Sequence, residues 1–172
     1  MYLGLEEKIL MLTVRKAEPS DFETVMGIYE YARGFMKSTG NPNQWKNTHP
    51  TAELIKDDIE NGICHVICDG EKIHGVFAFL TGKDPTYSYI EDGKWLNDEE
   101  YVTIHRIAGD GKVRGILQTA KEYALQFADN IRIDTHHDNK VMQGALSKQG
   151  FTRCGIIYLE NGEPRVAFQW RK

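Results

Sequence analysis

The sequence predicts a mixed α/β domain in which antiparallel hairpins flank a central strand–helix–strand crossover, and three observations carry that prediction. At 172 residues the chain has the length of one domain. Its 41% apolar and 27% charged residues suffice for a globular core and exclude disorder as the dominant state. Runs of period-2 and period-3.6 hydrophobicity follow one another in the order β-α-α-β-β-β-α-β-α-β-β, without internal repeat, low-complexity tract or linker.

Residues 12–16 (LTVRK) read as a short strand. Ser20-Asp21-Phe22-Glu23 then matches a capping box, with Ser20 accepting from the first turn and Glu23 reaching back. Phe22, Val25, Met26, Tyr29, Ala32 and Met36 follow at 3–4 spacing as one apolar helical stripe, ended by Gly40-Asn41-Pro42-Asn43. A second helix is expected over 51–61, with Leu54, Ile55 and Ile59 inward and Gly62 as its stop. Strands at 63–69 and 72–81 are joined by the turn Asp69-Gly70-Glu71. Residues 82–98, with Tyr87, Tyr89 and Trp95 among glycines and acids, read as a long loop or extended hairpin of the kind that often carries function. A strand at 100–108 leads through Gly109-Asp110-Gly111 into a helix at 114–128 with Ile116, Leu117, Ala120, Ala124 and Phe127 inward. Residues 131–135 form the next strand. Asp138 is then expected to cap a helix carrying Val141, Met142, Ala145 and Leu146, which Gly150 ends. Strands at 153–159 and 164–170 flank the turn Glu160-Asn161-Gly162-Glu163.

Charge and composition exclude several functions. The formal net charge is −4, where nucleic-acid binders usually carry a basic excess. No window approaches the run of about 18 apolar residues that spans a bilayer. The first twelve residues place two glutamates and a lysine where an export signal needs a basic then an apolar stretch. Cys64, Cys68 and Cys154 are too few for a disulfide framework. Cys64 and Cys68, four apart on a strand, face one way as small hydrophobes. Together these features predict a cytoplasmic protein that engages neither nucleic acid nor membrane.

The segment with chemical content is Ile107-Ala108-Gly109-Asp110-Gly111-Lys112-Val113-Arg114-Gly115-Ile116-Leu117, a glycine-rich turn between a strand and a helix. A helix start offers free N–H groups and partial positive charge, and Lys112 and Arg114 add formal charge there. The segment reads either as a phosphate site or as a βα turn with solvated cations. The dinucleotide fingerprint GxGxxG fails by one residue, although Asp134 stands where that fold places its ribose acid. The triphosphate pattern GxxxxGK[ST] is absent.

Read together, these segments resemble the GNAT superfamily, the GCN5-related N-acetyltransferases. Lys112-Val113-Arg114-Gly115-Ile116-Leu117 occupies the position of that family's [Q/R]xxGx[G/A] loop, and residues 131–135 the strand that follows. Asp138-Asn139-Lys140 opens the last helix, Gly150-Phe151 ends it, and Leu12–Asp21 is similar to the family's opening strand and helix entry. The likeness covers about residues 12–170 and implies one N-acetyltransferase domain over 1–172. Its sheet would be mostly antiparallel and twisted, with one parallel, splayed strand pair and about four helices on both faces. Three positions depart from the pattern. Lys112 replaces Gln or Arg, Leu117 replaces a small residue, and Leu146 stands where many members carry a tyrosine that protonates the departing thiolate.

The resemblance implies direct attack of an amine on acetyl-CoA, with no metal. Coenzyme A would be held by Ile107, Ala108, Lys112, Val113, Arg114, Gly115, Ile116, Leu117 and Asn139, the Ile107 and Ala108 N–H groups polarising the carbonyl. Asn139 reads equally as a plain cap. His105 is the expected base, since its ordinary pKa of about 6.5 suits proton transfer near neutrality, against a merely packed strand histidine. Glu100 working through water is the next candidate, and Tyr158 a substitute acid. The acidic run 98–100 with Glu91 and Asp92 reads as a solvated face or as an attractor of cationic amines. Trp45, Tyr87, Tyr89 and Trp95 would line a pocket or anchor loops. His136 and His137, as neighbours on a strand, would face apart and converge poorly on an ion. The expected acceptor is a small-molecule amine, an amino acid derivative or a peptide, and family habit makes a homodimer one expectation. Two rival readings stand beside this: a catalytically degenerate acyl-CoA-binding module of the same fold, and a dinucleotide-binding protein.

Overall fold

A computed structural model describes residues 11–172, so the reading of an absent export signal falls mainly on residues 1–10, outside the described residues. Seven strands form one sheet in the order β1-β2-β3-β4-β5-β7-β6. They are β1 (Leu12–Lys16), β2 (Cys64–Asp69), β3 (Lys72–Thr81), β4 (Val102–Gly109), β5 (Asn130–Thr135), β6 (Thr152–Tyr158) and β7 (Pro164–Arg171). All neighbours are antiparallel except β4 and β5. Helices α1 (Phe22–Ser38) and α2 (Ala52–Glu60) cover one face, α3 (Ile116–Ala124) and α4 (Lys140–Lys148) the other. None of the described helices is long and apolar enough to cross a membrane.

Side-chain alternation divides the core between the two faces. On the first, Val66, Cys68 and Val76 pack against Val25, Ile28 and Tyr29 of α1 and Ile55 of α2. On the second, Phe77, Ile104, Ile131 and Ile133 pack against Ala120 and Ala124 of α3 and Leu146 of α4. The expected mixed fold with one parallel pair is the one observed, and Cys64 and Cys68 do share an apolar cluster.

Several boundaries move, each for a local reason. The carboxylate of Asp21 takes two bonds from the Arg15 guanidinium, at 2.7 and 3.0 Å, and one from the Glu18 N–H at 2.8 Å. It therefore closes a 3-10 turn over Pro19–Asp21, and α1 starts at Phe22 with no Ser20 cap. The third helix begins at Ile116 rather than 114, because Gly115 sits at φ 90° as its N-cap and only glycine takes that conformation freely. It ends at Ala124, which leaves Phe127 outside the helix and exposed. The cap of α4 is Asn139, not Asp138: its side chain accepts the Met142 N–H at 3.0 Å.

Residues 82–98 form a docked strap. The guanidinium of Arg132 lies 4.2 Å from the Trp95 ring and 4.1 Å from the Tyr101 ring. Trp95 donates to the Tyr87 carbonyl at 2.9 Å, and the Leu96 N–H donates to the buried Gln169 side chain at 3.1 Å. Gly93 and Gly155 let the strap press on β6: a Cβ on Gly93 would lie 1.8 Å from the Cys154 carbonyl oxygen. The aromatic residues Tyr87 and Trp95 are thus anchors, and they fix the start of the strap in place.

Candidate active site

The parallel β4–β5 ladder consists of two residue pairs, Val102 with Ile131 and Thr103 with Arg132. Beyond Thr103 the strands separate. A bulge in β4 contributes to this: Ala78 faces His105 and Val76 faces Ala108, so Arg106 and Ile107 together oppose Phe77. Arg106 takes φ 50°, a left-handed conformation that a non-glycine residue holds only when its surroundings fix it. The Tyr29 hydroxyl donates to the Arg106 carbonyl at 2.9 Å, and the Arg106 guanidinium donates to Asp58 at 2.8 Å.

A cavity of about 500 Å³ opens at this splay, lined among others by His105, Asp84, Asp134, Trp45 and Arg165. His105 Nε2 lies 2.9 Å from an Asp84 oxygen, and its Nδ1 lies 3.7 Å from Asp134 Oδ2. Asp134 Oδ2 also accepts the Tyr87 hydroxyl at 2.7 Å. The bond to His105, reinforced by the Thr86 hydroxyl and N–H, holds the Asp84 carboxyl down at about 2 against the opposing effect of burial. Asp84 is therefore ionised and accepts the Nε2–H. In the neutral ring Nδ1 then keeps its lone pair, available to take a proton.

A second hollow of about 360 Å³ adjoins the first, with Met36, Ile107, Asn139 and Met142 lining both. It is an apolar trough between the end of β4, the start of α3 and the start of α4, with Phe35 and Val141 exposed along it. At its α3 end, the first intrahelical bond runs from the Thr119 N–H to the Gly115 carbonyl, so the N–H groups of 116–118 precede the ladder. The space over Gly115 is open, the nearest atom to a built Cβ being Leu12 Cδ1 at 4.0 Å. Lys112 and Arg114 are exposed. This end suits a diphosphate and the trough suits an apolar arm. One donor is already spent: Asp110, held by His74 at 2.8 Å, accepts the Lys112 N–H at 2.9 Å.

Known structures share this fold. A solved acetyltransferase of the GNAT family from Streptococcus agalactiae matches with TM-score 0.83 and 33% identity, covering 94% of this chain and 95% of that one. The chain belongs to the GNAT family of acetyltransferases. Two more distant members share the fold: one from Listeria monocytogenes (TM-score 0.66, 19% identity, 94% and 95% covered) and one from Bacillus cereus (0.58, 22%, 94% and 98%). No family model matches the chain, and no curated protein does.

Against the GNAT frame the expected residues divide. Ile107, Ala108, Val113, Gly115, Ile116, Leu117 and Asn139 line the trough. Ala108 is back in register with Val76, whereas Ile107 lies in the bulge with no one-to-one ladder partner. Asn139 is the cap of α4, and its Nδ2 donates to Gln44 at 2.9 Å where the two hollows meet. Glu100 does not line the His105 cavity: it is exposed in a neighbouring hollow with Lys83 and Arg132, and Asp84 lines both. Asp98 and Glu99 line that neighbouring hollow too. Tyr158 lines neither hollow, since its hydroxyl is bonded to Glu91. Leu146 is fully buried core, so no acid stands there. Asp134, the ribose acid of the dinucleotide reading, faces His105 instead.

The expectation for the two histidines also needs correcting. β5 ends at Thr135, so His136 and His137 sit in a turn, where their rings stack at 4.2 Å and converge with Asp138 to within 4.8 Å. The residue that sequence reasoning missed is Asp84. Its one signal was position: Asp84-Pro85 opens the long segment suspected of function.

Proposed function

We propose that the chain is an acetyl-CoA-dependent N-acetyltransferase, a single domain over 1–172 acting in the cytoplasm on a primary amine of a small molecule, amino acid derivative or peptide. The single observation that carries this reading is the confluence of a diphosphate-suited helix start, an apolar trough and a His105–Asp84–Asp134 pocket at one strand splay. Bound acetyl-CoA would supply an acetyl thioester as the electrophile.

The chain's own residues supply the rest. Val113, Arg114, Gly115, Ile116 and Leu117 hold the diphosphate with backbone N–H groups, with the Lys112 and Arg114 charges beside them. Ile107 and Asn139 line the path of the apolar arm. His105 Nδ1 takes the proton that an ammonium must lose before its nitrogen can attack, and Asp84 steadies the resulting imidazolium through Nε2. The Ile107 N–H, in the bulge, donates to the carbonyl oxygen as the amine nitrogen bonds to the acetyl carbon. The C–S bond then breaks, and the coenzyme A thiolate leaves as the thiol, taking the nitrogen's second proton directly or through water, since no side-chain acid stands at Leu146.

The test is a thermal shift with coenzyme A followed by thiol release from acetyl-CoA against a panel of amines. Stabilisation with turnover on at least one amine is expected. Buried Leu146, in place of an acid, favours the second reading of a catalytically silent acyl-CoA-binding module, which stabilisation without turnover would support. Stabilisation by NAD and none by coenzyme A would overturn both.

A further inference from the structure

The His105 pocket is electrically two-ended. At one end stand Asp84 and Asp134. At the other stands Arg165 of β7, which lines the cavity and is only 5% exposed. Register places it: Ala167 is opposite Asp134 and Val166 opposite Thr135, so Arg165 lies just beyond β5 on the face that carries Asp134 and His105. Its guanidinium donates to the Pro164 carbonyl at 2.9 Å and to Glu163 Oε2 at 3.1 Å, two of the five N–H groups that an arginine offers. Glu163 also lies 3.7 Å from Lys46 Nζ. Two cations against one carboxylate leave one net positive charge at this wall. Arg106 adds none, because Asp58 neutralises it.

Two further observations bear on this cavity. Thr135 also lines it, on the sheet face opposite Arg165, and its buried hydroxyl has no hydrogen-bond partner among the described residues. His49, also on the cavity wall, is held below its ordinary value by burial first, then by Arg106, Arg165 and Arg33; with Arg106 paired to Asp58, Arg165 and Arg33 are the unneutralised part of that field.

We propose that the acceptor is an amine that also carries a carboxylate, with Arg165 gripping the carboxylate while the ammonium faces Asp84, His105 and Asp134. The proposal rests on the acetyl-transfer reading above. A single spare positive charge matches one carboxylate better than a doubly charged group. A polyamine, cationic at both ends, would meet Arg165 with like charge. Arg165 is a specificity-determining residue here, and the proton transferred to His105 does not pass through it.

The experiment compares acetylation of free amino acids with that of their carboxamides and of a linear polyamine, at fixed saturating acetyl-CoA. The free acid is expected to lead the carboxamide at least tenfold in kcat/KM, mainly through KM, as loss of a charge-assisted bidentate contact requires. The carboxamide's less basic amine would favour the amide, so the predicted order cannot be a basicity effect. In Arg165→Gln the acid-to-amide ratio should fall to within about twofold of unity, with Arg165→Lys intermediate. The wild-type ratio alone decides the matter if the Arg165 variants do not fold. Carboxamide or polyamine turned over as well as the acid would overturn this inference and leave the acetyltransferase standing. No turnover on any amine, with acetyl-CoA present, would overturn both.

Discussion

The two ends of the β4–β5 pair are built from the same two strands and do opposite things. At the Val102–Thr103 end the ladder is closed, and both flanks are packed, with Phe79 and Ile131 on one side and the Arg132–Trp95–Tyr101 stack on the other. Four residues on, at His105–Ala108, pairing to β5 has stopped, β4 bulges, and both hollows open. The difference teaches that the site is made by withdrawing backbone pairing locally while the closed end holds the strands' relative position. Placing a histidine between two carboxylates requires that rigidity, because a shift of about 1 Å can cost about 100-fold in rate.

Four substitutions or conditions would break or sharpen that contrast. The largest effect belongs to the open end: His105→Ala should lower kcat by about 100-fold or more and leave coenzyme A affinity within a factor of two by calorimetry. Normal turnover between pH 6 and 8 would exclude His105 as the base. Next comes the closed end. Trp95→Ala should cost about 2–3 kcal/mol through lost packing and the lost cation–π contact, read as a melting temperature lower by about 5–10 °C with coenzyme A affinity retained. If melting were unmoved, the closed end would not be what holds the splay in place. Gly115→Asp combines a strained φ of 90° with a negative charge at the helix start, and should weaken coenzyme A binding at least about tenfold. An unchanged Kd would remove the diphosphate assignment.

Protons should act least. His49, His65 and His136 are all held below the ordinary histidine value, burial being the first cause for each. The unfolded chain therefore binds more protons than the native one below about pH 6.5, so stability falls as pH drops through that point. For His65 the geometry agrees: Nδ1 lies 2.8 Å from the Ile63 carbonyl oxygen and Nε2 lies 3.1 Å from the Tyr123 hydroxyl, which satisfies a neutral ring. A melting temperature equal at pH 7.5 and pH 5.5 would contradict this reading.

Much of the frame around the site was legible in the sequence, because it is written in periodicity. The stripes of α1 and α2, the hairpin at 69–71 and the succession of elements along the chain follow from local apolar spacing, and they recur in the structure. The open end was legible only where a local pattern marks it, in the 107–117 turn and in Asn139. Asp84 and His105 are twenty-one residues apart and meet because Trp95 and Arg132 dock the strap, a tertiary event with no local signature. Arg165 is likewise brought to the cavity by β5–β7 register. Glu100 was the second candidate for the base, but it lies before β4 begins and lines the neighbouring hollow rather than the His105 cavity. His136 and His137 were read with strand alternation one residue past the strand's end, where a turn replaces it.

The extra residue in β4 has one more effect. His105 and Ala108 lie three apart yet share one face of the sheet, opposite Ala78 and Val76, and the span between them contains the Arg106 kink pinned by Tyr29 and Asp58. Under the proposed reading, proton acceptor and thioester floor are thus carved from one unbroken length of backbone, and their spacing is fixed by that backbone whatever side chains the loops at 40–51 and 160–163 present to the acceptor.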